Sequence, residues 1–190
     1  MGIVIFDIST SLDGYITAAN QTAEVPMGPG GDAVHDWAFG NDEANAEYLR
    51  TAGASTGAVI CGRTTYDTSL PWWGADGPTG EQRKPVIVIT HAVPTDAPAG
   101  GVYRFVTGGP QAALDAAREA AGDADVTIMG GAEVGRQFLS AGLVDELSLH
   151  VAPLLFGGGT RLFGDLESHV KLTLVDCLAT PTAIHLRYRV

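Results

Sequence analysis

The chain has 190 residues, 45% of them hydrophobic and 17% charged, which is enough apolar mass for one globular domain with a full core. A formal net charge of −11 and a pI near 4.6 argue against a nucleic-acid partner. No run reaches the ~20 apolar residues of a membrane span, and the start MGIVIFDIS lacks a basic n-region and a cleavage pattern, so the sequence reads as soluble and cytoplasmic.

Gly2 to Ser9 is a nearly continuous apolar run, as a strand buried on both faces would be. Asp7 is its one charged member and shares a face with Ile3, Ile5 and Ser9. A carboxylate there is costly unless it is paired or faces a cleft, so Asp7 either caps a loop or lines a site. Ser11-Leu12-Asp13-Gly14 reads as a turn. Ala18 to Gly31 is small, polar and glycine-rich, a surface loop long enough to serve as a lid. Asp32 to Ala52 is predicted helical, with Trp37, Tyr48 and Leu49 among the acids Asp36, Asp42, Glu43 and Glu47, which form a solvated face.

Ala58 to Cys61 is the next strand, followed by Gly62-Arg63-Thr64-Thr65 at the start of a helix. A glycine leaving a buried strand into a helix start presents unpaired N–H groups, and an arginine with two hydroxyls suits phosphate oxygens. Pro71-Trp72-Trp73-Gly74 is predicted as a loop. Pro85 to Thr90 is a strand with Thr90-His91 at its end, where open α/β sheets place ligands. Val102 to Val106 is a short strand, and Pro110 to Ala121 an alanine-rich helix. Val126 to Met129 is a strand stopped by Gly130-Gly131. The helix after it carries Val134, Phe138 and Leu139 on one face and ends at Gly142. This second strand–glycine–helix junction suits an anion, although such glycines also serve tight packing alone. Glu146 to Val151 is a strand, and Lys171 to Leu178 with Thr182 to Val190 reads as an antiparallel hairpin. The alternation implies an α/β fold with a mostly parallel central sheet, helices on both faces and antiparallel strands at the C-terminal end. Cys61 and Cys177 read as buried reduced thiols, with no metal-ligand spacing.

Taken together, SLDGYI, GRTTYD, PVIVIT and IMGGAEVGRQFLSAGLVDELSLHVAPLLFGGGTRLF resemble the dihydrofolate reductase-like family. The branch is that of stand-alone relatives of the reductase domain of bifunctional riboflavin-biosynthesis proteins, and the likeness runs over nearly the whole chain. The resemblance implies one domain over 1–190, NADPH as cofactor, a small-molecule substrate and a homodimer. By position, Gly62, Arg63, Thr64 and Thr65 resemble the segment gripping the adenosine end and the pyrophosphate. Thr90 and His91 resemble the pair near the 2′-phosphate. Gly130, Gly131, Ala132, Glu133 and Val134 resemble the glycine–helix junction at the pyrophosphate. Ser9, Ile16 and Asn20 fall where the nicotinamide would lie. Glu133 stands where some reductases have an arginine, which removes one cation.

Folate enzymes place an acid on the first helix; here Asp36, Asp42, Glu43 and Glu47 compete for that place, and Asp7 is a further candidate donor. Asp7 and Glu43 are therefore the candidate catalytic acids, with Asp7 expected to titrate high through burial. Trp37 and His150 are candidate substrate contacts. The chain holds neither the H-x-E nor the P-C-x-x-C pattern of zinc deaminases. Two functions follow: an NADPH-dependent reductase of a pterin-, folate- or ribosylaminopyrimidine-like heterocycle or a carbonyl compound, and a nucleotide- or flavin-binding module without turnover.

Overall fold

Residues 2–164 and 169–190 are described by the structure, a computed structural model, and they fall into two units. The first combines Met1–Ile5 with Gly53–Val144, the second Phe6–Ala52 with Asp145–Val190. Both lie within a mixed, mostly parallel α/β fold whose antiparallel strands are C-terminal.

In the first unit, β2 (Thr56–Gly62), β3 (Val86–Ile89), β4 (Tyr103–Val106) and β5 (Asp125–Met129) run in the order β4-β3-β2-β5. All three pairings are parallel. Central β2 is buried along nearly its whole length, as its continuous apolar sequence requires. Helix α3 (Arg63–Trp73) follows β2 directly, α4 (Gly109–Ala121) precedes β5, and α5 (Ala132–Ser140) follows β5. Ala113, Leu114, Ala116 and Ala117 form the buried stripe of α4, and Ala132, Val134, Gly135 and Phe138 that of α5, both at helical spacing. As expected, Gly142 closes α5: its φ is +66°, its N–H bonds Leu139 O, and the N–H of Leu143 reaches Phe138 O.

Val59, Cys61, Tyr66, Val86 and Val88 form a core cluster, with Leu70, Trp73, Tyr103 and Phe105 packed against it. Truncating one of its aliphatic members costs about 2–5 kcal/mol for a large side chain and less for valine. Pro71, Trp72 and Trp73 are not a loop but the last turn of α3, closed by the N–H of Gly74 on Leu70 O. Trp73, on that last turn, packs against the core cluster. Trp72 stays exposed.

In the second unit, β1 (Val4–Ser11, which begins in the first unit), β6 (Glu146–Ala152), β8 (Ile184–Arg189) and β7 (Thr173–Ala179) lie in the order β1-β6-β8-β7. Strand β8 is antiparallel to both neighbours. The predicted helix from Asp32 to Ala52 is broken. A 3₁₀ turn at Gly31–His35 leads into α1 (Asp36–Phe39), Gly40 is extended, and α2 (Glu43–Ser55) begins anew. The cause is local: Asp42 caps α2 by accepting the N–H of Asn45 at 3.0 Å.

The suspected lid is tied down along its length. Ala18 N–H bonds Met27 O, Thr22 N–H bonds Val25 O, and Gly28 N–H bonds Val25 O. Asp13 accepts the N–H groups of Phe156 and Gly157, joining the SLDG turn to the triple-glycine loop. Gly159, at φ +130°, lies so close to the backbone of Thr17 that a Cβ there would stand 2.0 Å from its carbonyl oxygen. Of the two thiols, Cys61 is buried as expected, and burial pushes its pKa up to about 12. Cys177 is instead exposed on β7.

Candidate functional site

The first unit brings its two glycine junctions together. Gly62 ends β2 and α3 starts at Arg63; Gly130 and Gly131 follow β5 and α5 starts at Ala132. Thr65, in the first turn of α3, packs under Gly130, and Val134 of α5 packs under Gly62. Gly130 and Gly131 hold φ +65° and +73°, where a side chain strains the backbone. Neither helix has a side-chain hydrogen bond at its N-cap. Two helix starts thus converge, each with first-turn N–H groups and a partial positive charge.

Arg63 and Thr90 also meet. The Arg63 guanidinium donates to Asp67 from Nε (2.7 Å) and to the carbonyl of Ala92 from Nη1 (3.0 Å), with Thr90 Oγ1 at 3.5 Å. Arg63 therefore bridges the start of α3 and the loop after β3. Thr64 and His91 are exposed, while Ala132 and Val134 are buried and offer backbone rather than side chain. Glu133 does not stand alone: Arg136 and Gln137 both donate to its carboxylate, and these bonds hold its pKa below the usual carboxylate range.

The second unit holds a different chemistry. Trp37 Nε1 donates to Ser9 Oγ at 2.9 Å, and the Trp37 ring lies 4.3 Å from that of His150. His150 Nε2 is 3.1 Å from Asp7 Oδ2 and its Nδ1 is 2.8 Å from His185 Nδ1. The Tyr48 ring stacks on His185, and its hydroxyl shares a 2.7 Å hydrogen bond with Ser148. Burial and the charge of Asp7 raise the Tyr48 pKa to about 12. Strand register explains the meeting: His150 pairs with His185 and Ser148 with Arg187 across β6 and β8.

Three expectations change here. Burial does push the Asp7 carboxyl up, but the charge of His150 and the hydrogen bonds from His150 and Ser148 outweigh it, with His185 adding to them. The net direction is down, so Asp7 is a carboxylate at neutral pH rather than a free-standing protonated acid. Trp37 and His150 are 5% and 1% exposed, so neither ring is open for a molecule to stack on; Asp7, its side chain 30% exposed, is the part of the His150 pair that reaches solvent. Glu43 is not part of this cluster. It is 86% exposed and bonded to Arg50, as Glu47 is. Ser9 and Ile16 are buried, and Asn20 is exposed at φ +60°.

The pattern that defines the RibD C-terminal domain matches residues 3–186. The chain belongs to that family. The match takes in both units. Two Bacillus subtilis proteins are similar: YwjB, 25% identical over 187 residues and covering 95% of this chain and 94% of its own, and YyaP, 36% identical over 52 residues, only 28% of its length. Both are named as uncharacterized. A structure from Shewanella sp. PV-4 whose name links it to riboflavin biosynthesis has a TM-score of 0.71 at 26% identity, covering 98% of each chain. A Thermotoga maritima protein named as a diaminohydroxyphosphoribosylaminopyrimidine deaminase and 5-amino-6-(5-phosphoribosylamino)uracil reductase shares the fold, with a TM-score of 0.69 at 16% identity. This chain spans 99% of itself but 56% of that one. The fold is thus of the dihydrofolate reductase-like type found in RibD C-terminal domains.

Within this RibD-type domain, His185, Asn45, Tyr48 and Ser148 escape a motif search. For Ser148 and His185 the signal is alternation. Glu146, Ser148 and His150 fall on one face of an otherwise apolar strand, opposite Arg189, Arg187 and His185. A polar face on the buried strand β6 needs internal partners.

Proposed function

We propose that the chain is an NADPH-dependent reductase of a small heterocycle, of which a ribosylaminopyrimidine is the foremost candidate. The observation that carries this reading is the meeting of the α3 and α5 starts, with Thr65 against Gly130 and no side-chain cap on either helix. Such a cradle fits a pyrophosphate: glycines allow close approach, and the donors are first-turn N–H groups, the Thr64 hydroxyl and the Arg63 guanidinium. Gly62, Arg63, Thr64, Thr65, Gly130 and Gly131, with the backbone of Ala132, Glu133 and Val134, would hold the dinucleotide, and Thr90 and His91, with Arg63 bonded to their loop, its 2′-phosphate. Ser9 and Ile16 are assigned to the nicotinamide end. When bound, a reduced nicotinamide supplies the hydride, while the protein orients the ring and manages the accompanying proton.

Membership of the RibD C-terminal domain family supports the same chemistry. Among the described residues no helix is long and apolar enough to cross a membrane. The working form is a homodimer. Fluorescence titration with NADPH, followed by NADPH oxidation against a panel of ribosylaminopyrimidines, pterins and folates, tests the proposal. Binding with oxidation by one substrate class supports it; binding without oxidation by any of them leaves a nucleotide-binding module in its place.

A further inference from the structure

Asp7, His150, His185 and Asn45 form one hydrogen-bonded line within the second unit. It begins at Asp7 Oδ2, passes through both nitrogens of His150 and both of His185, and ends 2.9 Å further on at Asn45 Oδ1. Asn45 Nδ2 donates to Thr182 Oγ1, also at 2.9 Å.

The sense of each bond follows from the two ends. The Asn45 amide nitrogen is used on Thr182, and its oxygen can only accept, so the hydrogen between Asn45 and His185 sits on His185 Nε2. Burial, reinforced by the charge of His150, lowers the His185 pKa to about 4, so this ring is neutral and its Nδ1 carries a lone pair. His150 Nδ1 must then be the donor to it. At the other end a carboxylate accepts only, so His150 Nε2 is a donor as well. An imidazole that donates from both nitrogens holds one proton more than the neutral ring.

We propose that Asp7 and His150 together store a proton for the reductase reaction, with Asp7 as the end that hands it to the substrate and His185 and Asn45 as positioning residues that fix the sense of donation. This rests on the reductase reading above. In the transfer, the His150 Nε2–H bond breaks as an O–H bond forms on Asp7 Oδ2. That O–H bond then breaks as a proton joins the nitrogen or oxygen of the substrate C=N or C=O bond, which has received its electron pair by hydride addition from the reduced nicotinamide. His150 is left neutral with its proton on Nδ1, and water restores the store. One proton moves, and no residue of the chain is oxidised or reduced.

The line is sealed from bulk water except at Asp7: His150 and His185 are 1% and 2% exposed. The charged or titratable groups around it are His35 and Asp36 before and in α1, Asp42 and Tyr48 of the α2 segment, Arg187 on β8 and Asp176 on β7. Of these, Tyr48 and His35 are neutral at pH 7, since burial raises the first and lowers the second. Asp7 is the only carboxylate bonded to either imidazole among the described residues.

The test begins without cofactor. Long-range ¹H–¹⁵N spectra of the full-length protein, labelled on histidine, report the protonation of each ring nitrogen. At pH 7.5 His150 is expected to show two protonated nitrogens and His185 one, on Nε2. Asp7→Asn, with folding checked by melting, is expected to leave His150 with a single proton at that pH. A neutral His150 in the wild-type protein overturns the proposal whether or not NADPH is oxidised, and if Asp7→Asn does not fold, this wild-type spectrum decides alone. With turnover established, Asp7→Asn and His185→Phe should each lower the rate about 100-fold, within the range for general acid–base groups, and shift or abolish its alkaline limb. Wild-type rate and limb in both variants overturn it as well. NADPH titration separates the two readings: a wild-type protein that binds but does not oxidise NADPH sinks the reductase, not the protonation of His150.

Discussion

The Thr65 side chain occupies the space that a side chain on Gly130 would need: a Cβ built on Gly130 lies 2.4 Å from Thr65 Cγ2. Two segments 65 positions apart in sequence are thereby locked at contact distance, and the glycine is required twice, by this contact and by its φ of +65°. Gly131, with Thr65 Oγ1 3.3 Å from its built Cβ, has more room but a similar φ.

Gly131→Val puts a β-branched residue at φ +73° and ψ +104°, outside the left-handed helical region, at a backbone cost of about 1–3 kcal/mol; it should fold with a lowered Tm yet block close approach of a pyrophosphate. Its NADPH affinity should fall roughly 100-fold or more, equal to about 3 kcal/mol. Fluorescence titration beside a melting curve checks this, and wild-type affinity in the folded variant would move the pyrophosphate elsewhere.

Arg63→Ala should weaken NADPH more than NADH. A charge-assisted contact to the extra phosphate contributes about 1.5–3 kcal/mol, whereas the exposed Arg63–Asp67 pair contributes at most about 1 kcal/mol to stability. Tm should accordingly change little. Parallel titrations with the two nucleotides give the answer, and an equal loss for both would take Arg63 off the 2′-phosphate.

Much of the first unit was legible in sequence because its signals are local. A glycine after an apolar run marks a strand–helix junction at Gly62 and at Gly130 alike, and Gly142 marks the end of α5. Local signals also misled. Pro71 reads as a helix breaker, but α3 runs through it to Trp73, which packs on the core, and the cap at Asp42 divided a helix whose apolar pattern ran on. The histidine line was legible only in part. Asp7 stood out as a charge in a buried strand, but its partner His150 lies 143 positions away. Which residue faces His150 in turn depends on the register of β6 against β8, which no short motif encodes.

Acid should destabilise the protein in two stages. His185 has a folded pKa of about 4 against an ordinary 6.5, so between those values the unfolded chain binds more protons. Its contribution is complete above pH 6.5 and is lost as pH falls toward 4, with a slope approaching 1.4 kcal/mol per pH unit. Asp7, whose pKa is lowered, contributes above the ordinary carboxylate value and loses that contribution at still lower pH. Melting curves of wild type and His185→Phe between pH 7.5 and 4 should show a shallower fall for the variant; identical slopes would remove His185 as the cause.

The homodimer is expected to use the edge strand β7, which is paired on one side by β8 and exposes Leu174 and Val175. Light scattering at micromolar concentration should give twice the 19.7 kDa chain mass, and Leu174→Glu should halve it. A monomeric wild-type mass would count against the dimer.

The strand order β6-β8-β7 also sets a timetable for synthesis. Strand β8 leaves the ribosome after β7 yet must end up between β7 and β6, so the sheet of this unit cannot close from its N-terminal side as the chain emerges. His150 is made 35 residues before His185, a wait of roughly 2–7 s at ~5–20 residues per second. Through that interval β6 lacks its antiparallel neighbour, and the imidazole of His150 lacks the ring that orients it.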